Sequence, residues 1–149
     1  MKKLIFILFA FYTIQSNSQC FIDLEHLDNS TNYTFSQFET FALNSGYSYN
    51  SQKNNYVCDI EYTKDAHLTL TRKQNEMGYN VITHIYFQKS SYLNYKTILE
   101  NNGKLSSSDT NNNSLTQSYL YKNKLFVLQT RTYNDINFYI ITISNQKFN

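Results

Sequence analysis

The chain has 149 residues, with 13 Lys and Arg against 11 Asp and Glu, two Cys, three Gly and neither Pro nor Trp. That length suits one domain able to bury about two-thirds of its unfolded surface. Charge close to balance, with no basic run in the body of the chain, excludes a nucleic-acid binder of the electrostatic kind, and no apolar stretch approaches the roughly 20 residues of a spanning helix.

Lys2 and Lys3 form a basic head, Leu4 to Ile14 a stretch that is apolar except for Tyr12 and Thr13, and Gln15 to Gln19 a short polar run. This is the three-part pattern of a secretory signal peptide, with Ser16 and Ser18 at the small-residue sites of a cut before Gln19. The sequence therefore predicts a signal peptide over 1–18 and a single exported domain over 19–149, in the periplasm, the envelope or the medium. Loss of the leader removes two basic residues and no acidic one, leaving eleven of each sign. The Asn-, Lys-, Ile- and Tyr-rich composition is that of an AT-rich bacterial coding sequence.

Export would place Cys20 and Cys58 in an oxidising compartment, where two thiols pair, and a Cys20–Cys58 disulfide is expected. A lipid anchor at Cys20 is the alternative. Against it stand Asn17 and Gln19, where a lipidation signal carries a branched apolar residue and a small one.

Phe21, Leu24 and Leu27 hint at a short helix within 20–33. Thr34, with Gln37 three residues on, has the spacing of a capping box. Phe35, Phe38, Phe41 and Ala42 then recur at steps of three and four, predicting a helix over 35–45 that Gly46 stops in the left-handed conformation. Fifty-seven positions later Ser91, Tyr92, Tyr95, Ile98, Leu99 and Gly103 repeat these instructions and predict a second helix over 92–102.

Three strand-like segments follow each helix. They are 56–62, 67–72 and 79–87 in the first half, and 113–119, 124–129 and 136–144 in the second, all rich in β-branched and aromatic residues with period-two character. Lys122-Asn123 and Asn134-Asp135 are two-residue connections of hairpin length. The Asn- and Ser-rich stretches 48–55 and 106–113 are expected to be mobile surface loops.

A three-stranded meander with one helix cannot bury its own apolar face, and two copies can shelter each other. The fold class expected is α+β: a tandem α-β-β-β pseudo-repeat over about 34–87 and 91–144, forming one antiparallel sheet of about six strands with two helices on one face. The opposite face is left to water or a partner. The third strands, the most apolar on both faces, suit central positions. In this helix–strand order the chain resembles the tandem-repeat β-lactamase inhibitor proteins, which implies a non-enzymatic partner of another protein; no motif of theirs is matched residue by residue.

No HExxH, paired CxxC, Gly-rich phosphate loop or GxSxG occurs. No catalytic residue and no cofactor are assigned, and the protein is expected not to be an enzyme. His67 and His84 lie on neighbouring predicted strands near Asp59 and Glu61, a weak metal or acid–base cluster whose plainer reading is two solvent-facing histidines. The fourteen Tyr carry the remaining signal. Tyr with Ser, Asn and Gly is the palette of protein-binding surfaces, and Tyr86, Tyr121, Tyr133 and Tyr139 are the candidate contact residues. The expected function is a protein-binding module of inhibitor, immunity or adaptor type. The alternatives are a small-ligand carrier with an apolar pocket between helices and sheet, or a metal-binding or enzymatic domain using His67 and His84.

Overall fold

The computed structural model describes residues 20–63, 66–111 and 113–147, so the expected signal peptide lies outside the described residues. The described residues form three helices, α1 (Leu24–Ser30), α2 (Phe35–Asn44) and α3 (Lys89–Asn102). They also form eight strands: β1 (Tyr47–Asn50), β2 (Asn55–Thr63), β3 (Ala66–Gln74), β4 (Asn80–Tyr86), β5 (Lys104–Asn111), β6 (Ser114–Tyr121), β7 (Lys124–Tyr133) and β8 (Ile136–Lys147). All eight make one antiparallel sheet in the order β1-β2-β3-β4-β8-β7-β6-β5. Helix α2 leads into β1–β4 and helix α3 into β5–β8, and the two meanders join at β4 and β8. The most apolar strands thus lie at the centre.

Two strands more than expected are present, because the supposed loops are largely strand. β1 ends at Asn50 and a short turn leads to β2, while β5 runs through Asn111. Asn and Ser have poor strand propensity, but an edge strand needs only backbone bonding to its inner neighbour. β5 illustrates this, with all eight residues exposed while it pairs with β6 from Lys104↔Leu120 to Asn111↔Ser114.

Helix ends follow local chemistry with two departures. At α2 the capping box is complete, Thr34 accepting from the Gln37 backbone N–H and the Gln37 side chain accepting from that of Thr34. Gly46, at φ +86, ends that helix as expected. Helix α3 instead starts at Lys89 behind Gln88, which makes no side-chain cap, and Ser91 is buried inside its first turn. Gly103 is extended, with φ −108, and is needed for clearance. A Cβ there would meet Leu99 O at 2.8 Å and Leu120 O at 3.1 Å. Both two-residue hairpins have positive φ at each central residue, 50 and 58 at Lys122 and Asn123, 48 and 61 at Asn134 and Asp135. That is the backbone handedness which matches strand twist.

All three helices cover the same face. Phe38 of α2 packs edge-on against Tyr56, Tyr95 of α3 against Tyr86, and Tyr92 stacks on Tyr139. Asp28 of α1 pairs with Lys124 at 2.6 Å. Beneath them run continuous buried rows, Leu70–His84–Ile141–Leu128 and Ile82–Ile143–Phe126–Tyr119. Each such apolar side chain contributes about 1.5–3 kcal/mol on burial.

The segment before α1 is strapped over the middle of this layer. Cys20 forms the expected disulfide with Cys58 of β2, with Cα atoms 6.0 Å apart. Cys20 N–H donates to Ser45 O, Tyr47 Oη donates to Cys20 O at 2.9 Å, and Tyr95 Oη donates to Ile22 O. The sulfur that a lipid anchor would need is occupied by Cys58.

Candidate functional site

Period-two alternation gives the sheet a second face that no helix covers. On β4 the residues between the buried positions are Val81, Thr83 and Ile85, and on β8 they are Phe138, Ile140 and Thr142, all half-buried. Strand register lines them up into rows. Thr71, Thr83, Thr142, Val127 and Ser118 form one, and Thr69, Ile85, Ile140, Gln129 and Thr116 the next. Within the rows Thr83 and Thr142 share a hydroxyl hydrogen bond of 3.3 Å, and Gln129 Nε2 donates to Thr116 Oγ1 at 2.9 Å.

The surface chemistry is uniform. Neither row carries a charged residue; Lys73, Arg131 and Asp109 stand beside them, paired in register with Val81, Phe138 and Thr116. Branched aliphatic and Thr side chains are stiff at χ1 and lose little entropy when covered. Charge depletion at the centre with a charged rim is the composition of a protein interface core and its border. The site is therefore suited to docking.

No protein-family model, curated protein or solved structure matches the chain. The geometry alone carries the functional reading.

The four tyrosines expected at the surface divide unevenly. Tyr86 is 1% exposed and Tyr139 7%, both on the helix-covered face. The sequence reading took both as contact residues because Tyr belongs to the palette of binding surfaces; here α3 supplies two further tyrosines, and the four rings pack against each other. Burial pushes the Tyr86 hydroxyl far above its ordinary pKa, reinforced by Tyr95, Tyr92 and Tyr139. Tyr121 is half-buried with its ring against Phe126 and Lys122 Nζ 5.3 Å from its ring centre. Tyr133, at the β7–β8 turn, is 71% exposed and is the member of the set free to meet a partner.

His84 is buried rather than solvent-facing. Its Nε2 lies 2.7 Å from Tyr47 Oη. Because that hydroxyl donates its proton to Cys20 O, Nε2–H is the donor in this contact and Nδ1 is left without a partner among the described residues. Burial drives the imidazole pKa down to about 3. His67 is paired in register with Glu61, but the side chains of both, and of Asp59, lie outside the described part of the structure. Among the described residues no group of three or more His, Cys, Asp or Glu could hold a metal ion.

The open-face residues Val81, Ile85, Val127 and Ile140 escaped the sequence reading, which looked for aromatic rings. The signal was present as β-branched residues at the second parity of two strands whose first parity is also apolar.

Proposed function

We propose that the chain is an exported, non-enzymatic bacterial protein that binds another protein through the helix-free face of its sheet. The observation that carries this reading is the pair of uncharged, half-buried rows crossing β3, β4, β8, β7 and β6, a Thr-rich strip with Ile85, Ile140 and Val127 in its middle and a charged rim. The Cys20–Cys58 disulfide suits an oxidising compartment. Among the described residues no helix is long and apolar enough to cross a membrane. On this reading the domain is 19–149, and the partner class is that of a protein inhibited, neutralised or tethered.

The two halves descend, on the same reading, from one duplicated helix-plus-four-strand unit. The matching element order and the meeting of β4 with β8 support it. Duplication also accounts for the broad open face, since each unit contributes its most apolar strand to the middle.

Affinity capture of the tagged protein from envelope and medium, read by mass spectrometry, tests the docking face. Ile85→Lys and Ile140→Lys place ammonium groups in one row and are expected to abolish capture while the variants remain folded by circular dichroism. Tyr133→Ala at the turn is expected to weaken it. Retention of the same captured protein by folded Ile85→Lys and Ile140→Lys would remove this face from consideration.

A further inference from the structure

On the helix-covered face, remote from the proposed docking surface, a cleft of about 400 Å3 opens between the first turns of α2 and strands β1–β3. Its walls include Phe35, Phe38, Tyr49, Tyr56 and Arg72, with Glu39 on the same side as the two phenylalanines. That volume falls in the usual range for a small-molecule site.

Arg72 is only partly used. Its Nη2 donates to Tyr33 O at 2.8 Å and to Asn80 Oδ1 at 3.0 Å, while Nε and Nη1 are buried with no partner among the described residues. Buried donors without an acceptor are rare enough to need a reason, and a cationic donor makes its strongest bond to an anion. The guanidinium is covered instead by Phe35, whose ring centre lies 4.2 Å from Cζ. Phe35 is 68% exposed, so its ring can turn outward with little loss of packing.

The remaining walls suit a flat ring. Tyr49 and Tyr56 lie 5.3 Å apart at a tilt, Tyr56 meets Phe38 edge-on at 5.6 Å, and Tyr49 is 51% exposed. Such rings offer faces and edges to a further aromatic group. Glu39 is exposed and makes no ion pair among the described residues. It stands near enough to the Tyr56 hydroxyl for both it and Arg72 to act on that group.

We propose that this cleft binds a single aromatic α-amino acid, with its carboxylate accepting from one of the two free N–H groups of Arg72, its ring against Tyr49 and Tyr56, and its ammonium towards Glu39. Phe35 swings aside to admit it. The site is independent of the docking reading and stands or falls separately.

Calorimetric titration of the purified protein with L-phenylalanine, phenylacetate and phenethylamine, each to about 10 mM, tests it. L-phenylalanine is expected to bind best, phenylacetate more weakly, and phenethylamine not at all. Tyr49→Ala and Arg72→Lys are each expected to weaken L-phenylalanine by about tenfold or more. Glu39→Gln is expected to weaken L-phenylalanine and leave phenylacetate unchanged. Thermal unfolding checks that each variant is folded, and Glu39→Gln and Tyr49→Ala alter exposed side chains that the core does not need. Absence of binding by both carboxylates, preference for phenethylamine or for phenylacetate, or unchanged L-phenylalanine affinity in folded Tyr49→Ala and Glu39→Gln overturns the proposal.

Discussion

His84 and Ile141 stand directly opposite each other across the β4–β8 seam, and they are also the two residues that a shift of 57 positions superposes. The sheet therefore joins where each half presents the same position to the other. At that point one half carries a branched hydrocarbon and the other an imidazole bonded to Tyr47 Oη. Ile141 is satisfied by packing alone, whereas His84 must remain neutral in a buried site where Tyr47 Oη is its one hydrogen-bond contact among the described residues.

This asymmetry predicts a pH dependence. Burial holds the folded-state pKa of His84 at about 3, against an ordinary value of 6.5. Between those values the unfolded chain binds a proton that the folded chain refuses. Stability is thus complete above about pH 6.5 and falls as pH drops towards 3, by up to about 1.4 kcal/mol per pH unit. Urea unfolding at pH 7 and pH 5, above most carboxylate titration, measures the slope. His84→Leu is expected to flatten it, because Tyr47 Oη keeps its bond to Cys20 O. Equal slopes in the two proteins would locate the proton elsewhere.

The ion pair beneath α1 predicts a strongly coupled double-mutant cycle. Lys124 and Asp28 are 8% and 5% exposed, 2.6 Å apart, and Lys124 Nζ also donates to Thr31 Oγ1. Lys124→Met leaves the carboxylate facing only Lys122 at 3.6 Å, and a loss of about 3–5 kcal/mol is expected. Adding Asp28→Leu removes the stranded charge and recovers most of that loss. Additive single effects in chemical denaturation would mean that the pair contributes little.

Reduction of the disulfide tests the strap. Cys20 and Cys58 are 38 positions apart, a loop whose closure restricts the unfolded chain by about 4 kcal/mol. The double change Cys20→Ser with Cys58→Ser is expected to lower stability by about that amount, and reductant should then have no further effect. A variant as stable as the oxidised parent would show that the hydrogen bonds from Tyr47 and Tyr95 hold the segment unaided.

The helix starts predict opposite outcomes for two substitutions. Thr34→Ala removes the hydroxyl that accepts from Gln37 N–H in the capping box and is expected to cost about 1 kcal/mol. Gln88→Asp places an acceptor where α3 has no side-chain cap and is expected to stabilise by a similar amount. Midpoints of thermal unfolding distinguish them, and a shift of the same sign in both would contradict the assigned boundaries.

The helices and the central strands were the most legible part of the sequence. Phe38 and Ala42 recur as buried Tyr95 and Leu99 at a shift of 57, and Ile82, His84 and Tyr86 as Tyr139, Ile141 and Ile143. Farther out the shift drifts. Leu68 and Leu70 answer to Phe126 and Leu128 at 58 positions, and Cys58 answers to Tyr119 at 61. A gapless comparison therefore set Leu68 on Leu125, which lies on the open face. Turns tolerate different lengths at little cost, so two meanders can share a burial pattern without sharing its spacing.

The candidate site was less legible for a related reason. A β-branched residue half-buried on an open face and one fully buried under a helix look alike in sequence, and only β-sheet parity separates them. Tyrosine misled in the other direction. Its frequency in binding surfaces suggested contact positions at Tyr86 and Tyr139, but a layer holding Tyr92 and Tyr95 can shelter aromatic rings of the same kind.

The last strand to emerge in chain order is the keystone of the sheet, since β8 sits between β4 and β7. A chain halted before Ile136 would not merely fray at a margin. It would split into two leaves, each with raw hydrogen-bonding groups along an apolar strand, which is the condition that invites aggregation. Closure must therefore wait for β8, Ile136–Lys147, and a chain that folds only once this segment is available tolerates such an order better than one that folds as it is synthesised.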